Sequence, residues 1–424
     1  MPARASLPRV DALRRPTQAG ELPAAGVALV APVAPVTLAT LALLFLRIGC
    51  TSMGGFMAMV SMTQQVIVER RQLLPAADLL DGLALATVLP GSVAINVVAY
   101  AGYRLRGAAG AAVAMLCAVL PAFLCIVALG TLYFRFGSMD AVRPIFRGIT
   151  PVIVAIVLAA ACRLWRSAVH DRRQAALGIA AALLLSLLPG LATTLAMMAG
   201  SAAAGYCCRR AVAVPDAAVA PSPAAGAPSG RPLRAALAAA ALPLAWLLSL
   251  VVPAVLLQLA SAFAGMSLLT FGGGYVFIPL LQHTVVDSYH WLGAREFIDG
   301  LALTQLSPGP VMISSAFVGL KVAGVAGAAA ASAGMFIPSA VLTVAASGAM
   351  QRVRHCAGVQ AALWGMRAAL AGMVFSAALG IARLAAPVWM SALLCVVALV
   401  ALLRFRVDAA CLVACAALVG WLFC

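Results

Sequence analysis

Residues able to do chemistry in this chain sit where glycine and proline interrupt apolar runs. The segments "LTFGGGYVFIP" and "QLSPGPVMISS" place Gly272, Gly273 and Gly274, and then Ser307, Pro308, Gly309 and Pro310, inside otherwise apolar stretches. Weaker versions, "TSMGGFMAM" and "TVLPGSVAIN", carry Gly54, Gly55, Pro90, Gly91 and Asn96. Proline lacks a backbone donor and clashes with the preceding turn, so a helix is expected to stop near Leu306 and restart after Pro308. A restart leaves amide N–H groups at the positive end of a helix dipole, which suits an anion. Close packing at glycine and plain kinking at proline would produce the same letters. Recurrence of both motifs in two parts of the chain favours a binding role.

Charged and polar residues near these motifs extend the candidate set. Arg47, in "LFLRIGC", lies within the first apolar stretch, where an arginine faces a cavity or a partner, or snorkels to an interface. It is a candidate anion ligand or gate. Asp81 and Asp299 are candidate proton-coupling carboxylates, with dipole compensation at a helix start as the alternative. Gln282 and His283 follow the second glycine run and are candidate oxyanion donors or merely solvated. Lys321, the only lysine, and Arg104 read as interface anchors, with gating as the other reading for Lys321. There is no HExxH, GxSxG or Walker A pattern, and the 11 cysteines follow no CxxC or Cys/His spacing. No catalytic residue, metal or cofactor is therefore expected, and the chain reads as neither an enzyme nor an ATP-driven pump.

The elements that must position these residues follow from composition. Of 424 residues, 64% are hydrophobic and 9% charged, and the mean hydropathy is +1.07. A soluble domain is about 45–50% apolar and about a quarter charged, so most of this chain has lipid as its solvent. At about 20 apolar residues per crossing, an all-α polytopic membrane protein of about 12–13 helices is expected. The apolar runs put crossings near 37–60, 80–101, 108–134, 146–162, 174–188 and 190–206, and then near 236–257, 259–282, 297–320, 322–348, 361–382, 388–403 and 408–424. Residues 1–36 read as a cytoplasmic tail without a signal peptide, 37–208 as a first transporter repeat, 209–235 as a flexible Pro/Ala-rich linker, and 236–424 as a second repeat.

The two repeats overlay without a gap. "DLLDGLALATVLPGSVAI" (78–95) falls on "EFIDGLALTQLSPGPVMI" (296–313) at an offset of 218 (299 minus 81), and the same offset pairs Gly54-Gly55 with Gly272-Gly273 and Gln64 with Gln282. If 236–257 adds a crossing, equivalent helices are seven crossings apart and the repeats are inverted. The net charge of +16 comes from arginines that mark topology rather than a nucleic-acid surface. In this scheme the tail, Arg104, Arg106, the Arg163–Arg173 group and the Arg209–Arg234 group are cytoplasmic, and Arg70, Arg71, Arg135, Arg143 and Arg147 lie outside.

The segments "FLRIGCTSMGG" and "FGGGYVFIPLLQHTV", with the two Asp-Gly…Pro-Gly stretches, resemble the chromate ion transporter family in its long, two-domain form. The first repeat departs from the usual Phe-Gly-Gly-Pro form, with Met53 for Phe and Phe56 for Pro, and has Ser92 where the second has Pro310. The resemblance implies a multi-pass carrier of the bacterial inner membrane that exports chromate, by potential-driven efflux, exchange or proton coupling. Sulfate or another oxyanion, uptake, and a gated anion channel are the alternatives. The expected partners are the oxyanion and the lipid bilayer, with no nucleic acid; a homodimer is one option that the sequence leaves open.

Overall fold

A computed structural model describes residues 36–53, 56–136, 143–188, 190–208, 253–271, 276–347, 357–384, 389–405 and 407–423. The tail at 1–35, the linker at 209–235, residues 236–252, and Gly54, Gly55, Gly272, Gly273 and Gly274 lie outside the described residues. Among the described residues there are fourteen α-helices and no strand. The first seven are α1 (Leu38–Thr51), α2 (Phe56–Thr63), α3 (Ala76–Val88), α4 (Val93–Phe136), α5 (Arg143–Ala168), α6 (Arg172–Leu187) and α7 (Leu191–Cys207). The second seven are α8 (Ala254–Leu269), α9 (Phe277–Gln282), α10 (Ala294–Leu306), α11 (Ser314–Ser347), α12 (Ala357–Leu384), α13 (Trp389–Val400) and α14 (Ala409–Phe423). Wide π turns extend α2 over Gln64–Arg70, α9 over His283–Ser288 and α13 over Ala401–Phe405. Among the described residues, four segments are long and apolar enough to cross a membrane: Val93–Phe136, Pro144–Ala168, Val311–Ser347 and Gln360–Arg383. The helix number exceeds the sequence expectation because the Gly and Pro interruptions divide runs that composition alone joins.

The Pro-Gly motifs are the tips of helical hairpins. Proline forces the preceding residue into extended backbone, and Leu89 (φ −80°, ψ 149°) and Ser307 (φ −83°, ψ 145°) end α3 and α10 in this way. Gly91 and Gly309 follow at φ +104° and +107°, in the region that an L side chain strains to enter. The chain then doubles back, so that the Tyr100 ring covers Gly82 and the Phe317 ring covers Gly300. A second break follows at Arg106–Gly107 in α4 and at Ala323–Gly324 in α11. Residues eight apart in a straight helix lie about 12 Å apart, yet the backbones of Gly102 and Gly110 touch, as do those of Gly319 and Gly327.

Each of α4 and α11 is therefore a short arm that runs back beside its preceding helix, followed by a long arm. With α3 and α10 each 13 residues, or about 20 Å, neither is as long as the about 30 Å of hydrocarbon that a crossing needs. Residues 80–101 and 297–320, expected as single crossings, are instead the two sides of these tips.

The second short arm lacks one residue, since Gly102 pairs with Gly319 at an offset of 217 (319 minus 102). It restarts as a three-residue 3₁₀ turn, Val311–Ile313. Three 3₁₀ residues rise about 6 Å, as do four α-helical ones, so the deletion leaves the arm in place.

Charges close the open end of each hairpin. Arg104 donates to Asp78 at 2.5 Å, and Lys321 donates to Glu296 at 2.8 Å. All four side chains are a quarter to two-fifths exposed, so each pair is worth at most about 1 kcal/mol. Arg104→Gln and Lys321→Gln are expected to shift stability by no more than that, measured as thermal unfolding of the detergent-solubilised protein.

The two hairpins point at each other from opposite ends of a helix. The long arm of α4 starts at the open end of the first hairpin. Farther along, Ala122 lies against Gly309 at the tip of the second, Gly130 against Leu320 and Phe317, and Phe134 beneath the Lys321 ammonium, 5.1 Å from the ring centre. In α11, Ser339 lies against Gly91 in the same way. One consequence corrects the topology read from sequence. Arg70 and Arg71, just before α3, share an end of the bundle with Arg104 and Arg106, because the hairpin between them returns to where it began.

Candidate functional site

The two tips are held by reciprocal hydrogen bonds between the repeats. Gly91 N–H donates to the Thr270 carbonyl at 2.6 Å, and Gly309 N–H donates to the Ser52 carbonyl at 2.8 Å. Ser52 and Thr270 are themselves equivalent, and each ends the helix before a glycine run. Each Pro-Gly tip thus sits against the end of a helix of the other repeat, a pairing that the overlay of the halves does not reveal.

These bonds settle which backbone groups remain for a ligand. The Gly91 and Gly309 amides are occupied, and Pro90, Pro308 and Pro310 have none. The amides of Val93, Ala94 and Ile95, and of Val311 and Met312, have no backbone acceptor among the described residues. They are first-turn donors of the restarting arms, where an anion is favoured.

Side chains at the same level are also unsatisfied. Ser314 and Ser315 are buried at the start of α11, and neither hydroxyl has a partner among the described residues. Asn96, fully buried in the first arm, donates through Nδ2 to the Pro90 carbonyl at 3.1 Å, while its Oδ1 has no partner among the described residues. The Ser267 hydroxyl, one turn before Thr270, is equally orphaned. Buried polar atoms are nearly always paired with protein, water or a ligand. Most of the buried orphans therefore gather at the tips, and a guest with several hydrogen-bonding oxygens would satisfy the hydroxyls. Ser307 differs, because its hydroxyl already donates to the Thr304 carbonyl at 2.9 Å.

The remaining candidates lie elsewhere. Arg47 is on the exposed face of α1 with Leu43 and Cys50, opposite the buried Phe45 and Ile48. Asp299 is buried and accepts a hydrogen bond from the Tyr133 hydroxyl of α4 at 2.7 Å, with Phe146 and Phe317 packed on the Tyr133 ring. Asp81, its counterpart, is half-buried on α3. Lys321 is paired with Glu296. His283 lies within its own π turn, 3.4 Å from Asp287 and 3.3 Å from Ser288, and the Gln282 amide adjoins Gly380. The fold thus puts Pro90, Gly91 and Asn96 at one tip and Ser307, Pro308, Gly309 and Pro310 at the other, and it puts the charged candidates at neither. Sequence reasoning missed Ser314, Ser315, Ser52, Thr270 and Tyr133; of these, only the adjacent hydroxyls in "MISSAF" leave a readable signal.

Broken helices whose tips pack against the other repeat inside an apolar helical bundle are a recurring feature of polytopic membrane transporters. Within that class the chain belongs to the chromate transporter family, whose description matches residues 39–206 and 257–421. It is 30% identical to the chromate transport protein of Cupriavidus metallidurans over 89% of this chain and 90% of that one. It is 32% identical to a probable chromate transport protein of Synechococcus elongatus over 71% and 73% of the two chains. Against a chromate transport protein of Pseudomonas aeruginosa it is 30% identical over 81% and 80%. No solved structure matches the chain.

Proposed function

We propose that this protein is a secondary transporter that moves chromate out of the cytoplasm, binding the dianion between the crossed hairpin tips. The observation that carries the reading is the reciprocal bonding of the two tips, each to the other repeat, with the Ser314 and Ser315 hydroxyls left unpaired among the described residues beside the second tip. The names of the relatives and of the family support chromate as the substrate.

The hairpins approach from opposite ends of α4, and this supports repeats of inverted topology with the site near the bilayer midplane. Arg70, Arg71, Arg104, Arg106, Arg163, Arg166, Arg172 and Arg173 gather toward one end of the bundle, which the positive-inside rule makes cytoplasmic. The membrane is the inner membrane of a bacterium. Export of a dianion is downhill electrically: with the interior negative by about 100 mV, two charges release about 4.6 kcal/mol. The potential alone then drives efflux.

Everted vesicles carrying the full-length protein test this, with labelled chromate and sulfate offered while the voltage and the pH gradient are collapsed separately. Saturable chromate accumulation that disappears with the voltage is expected. Accumulation of sulfate but not chromate, or a flux linear in concentration, would contradict the reading. In the same assay the double substitution Ser314→Ala, Ser315→Ala is expected to lower chromate transport at least about tenfold, the loss of two hydrogen bonds to a charged guest.

A further inference from the structure

A second feature suited to an anion lies apart from the tips. A cavity of about 560 Å³ lies between α5, the π turn of α13, the start of α14 and the junction of α1 and α2. Its volume is in the range of small-ligand sites, about 300–1,000 Å³. Most of its lining residues are apolar, yet polar atoms make up more than half of its accessible wall, and Arg163 and Arg166 of α5 both line it and are both exposed. Three residues apart on a helix, the two guanidinium groups share one face.

The surrounding charges do not neutralise the pair. No ion pair among the described residues involves either arginine. The one carboxylate in the wall, Asp408, accepts from the Ala410 N–H at 3.3 Å and caps α14. Arg163 is anchored by donating to the Leu402 carbonyl of the π turn at 2.8 Å, which leaves most of its fork unused. Arg166 has no hydrogen bond among the described residues that its replacement would break.

The cavity also connects to the site already described. Met53 and Ala58 line it; their neighbour Ser52 accepts the Gly309 N–H through its carbonyl, and the Met59 methyl lies 4.0 Å from where a Cβ on Gly309 would sit. The pair belongs to one repeat only. At an offset of 220 (367 minus 147), Arg147 falls on Arg367 and Arg163 on Arg383, but Arg166 falls on Ala386.

We propose that this cavity is an antechamber for a divalent oxyanion, in which Arg163 and Arg166 hold the ion before it passes to the crossed tips. The inference rests on the transport reading above and adds to it a second, lower-depth anion site on the arginine-rich end of the bundle. Two cations lining a half-open cavity raise the local concentration of a dianion and its rate of arrival. They do not take part in the passage between the tips. Their loss therefore acts on apparent affinity rather than on turnover.

The test is initial-rate chromate transport by full-length protein in proteoliposomes, for wild type, Arg166→Gln, Arg166→Lys and the Ser314→Ala, Ser315→Ala double variant. Arg166→Gln is expected to raise KM about tenfold with maximal rate within about twofold, and Arg166→Lys to return KM to within about threefold of wild type. The double serine variant, by contrast, lowers the maximal rate. An Arg166→Gln KM equal to wild type overturns the antechamber, as does a fall in maximal rate at unchanged KM, whether or not lysine rescues it. Wild-type protein that transports neither chromate nor sulfate overturns the transport reading itself, which separates the two failures.

Discussion

Replacing Gly91 or Gly309 with valine is expected to reduce chromate transport by about a hundredfold or more while leaving protein in the membrane. Both positions have φ near +105° (+104° and +107°), a conformation that costs a β-branched residue about 1–3 kcal/mol. Space adds to strain. A Cβ at Gly91 would run into the Ser339 side chain, and one at Gly309 would lie 3.1 Å from the Ala122 methyl group. The tip must then shift, and the hydrogen bond to Thr270 or Ser52 is lost with it. At about 3 kcal/mol in total, the closed arrangement falls to about one-hundredth of its population. Ser92→Pro serves as the control: the second repeat carries Pro310 at that position after a glycine of nearly the same φ, so transport within about twofold of wild type is expected. Vesicle transport normalised to protein in the membrane decides both. A fully active Gly309→Val would mean that the tip geometry does not matter to function.

The second large effect concerns folding rather than passage. Gly319→Val is expected to destabilise the protein by more than about 3 kcal/mol, since its Cβ would overlap the backbone of Gly327 and the short arm could no longer lie against the long one. Gly102→Val acts in the same way at the first hairpin. Gly265 is the contrast. It is helical, with open space around its Cβ position, and Gly265→Ala is expected to be neutral or to stabilise by up to about 1 kcal/mol. Yield of monodisperse protein and its thermal unfolding midpoint measure all three. Equal midpoints for Gly319→Val and wild type would show that the tight elbow is not what holds the hairpin.

Much of this architecture was readable because each step has a local cause. Proline at 90 and 308 dictates an extended residue before it, so the helix ends at Val88 and Leu306 follow from the letters. The duplication is readable because both repeats solve the same backbone problem with the same residues. What composition hides is direction. A run of about 22 apolar residues looks like one crossing, whether it passes straight through or folds back at a Pro-Gly tip. The reversal is visible only in contacts such as Gly82 with Tyr100 and Gly102 with Gly110. That reversal changes the parity of the crossings, and so moves Arg70 and Arg71 to the end of the bundle that holds Arg104.

The site was legible in part for a related reason. Pro90, Gly91 and Asn96, and Ser307, Pro308, Gly309 and Pro310, sit at the two hairpin tips because the motifs mark backbone breaks. The inter-repeat partners Ser52 and Thr270 act through carbonyl groups that every residue possesses, so no letter in the sequence singles them out. Arg47 drew attention as a charge in an apolar run, yet a charge on the outer face of a helix obeys different rules from one in a cavity. Arg163 and Arg166 read from sequence as topology anchors in a group of arginines near a helix end, and the cavity between them and α13 is visible only in the fold.

The most direct measurement is an anomalous-scattering map at the chromium edge for crystals of the full-length protein soaked in chromate. A peak between the crossed tips, within hydrogen-bonding distance of the Ser314 and Ser315 hydroxyls and the first-turn amides, is the predicted result. Chromium bound only at the outer surface, with Ser314 and Ser315 still unpaired, would contradict it.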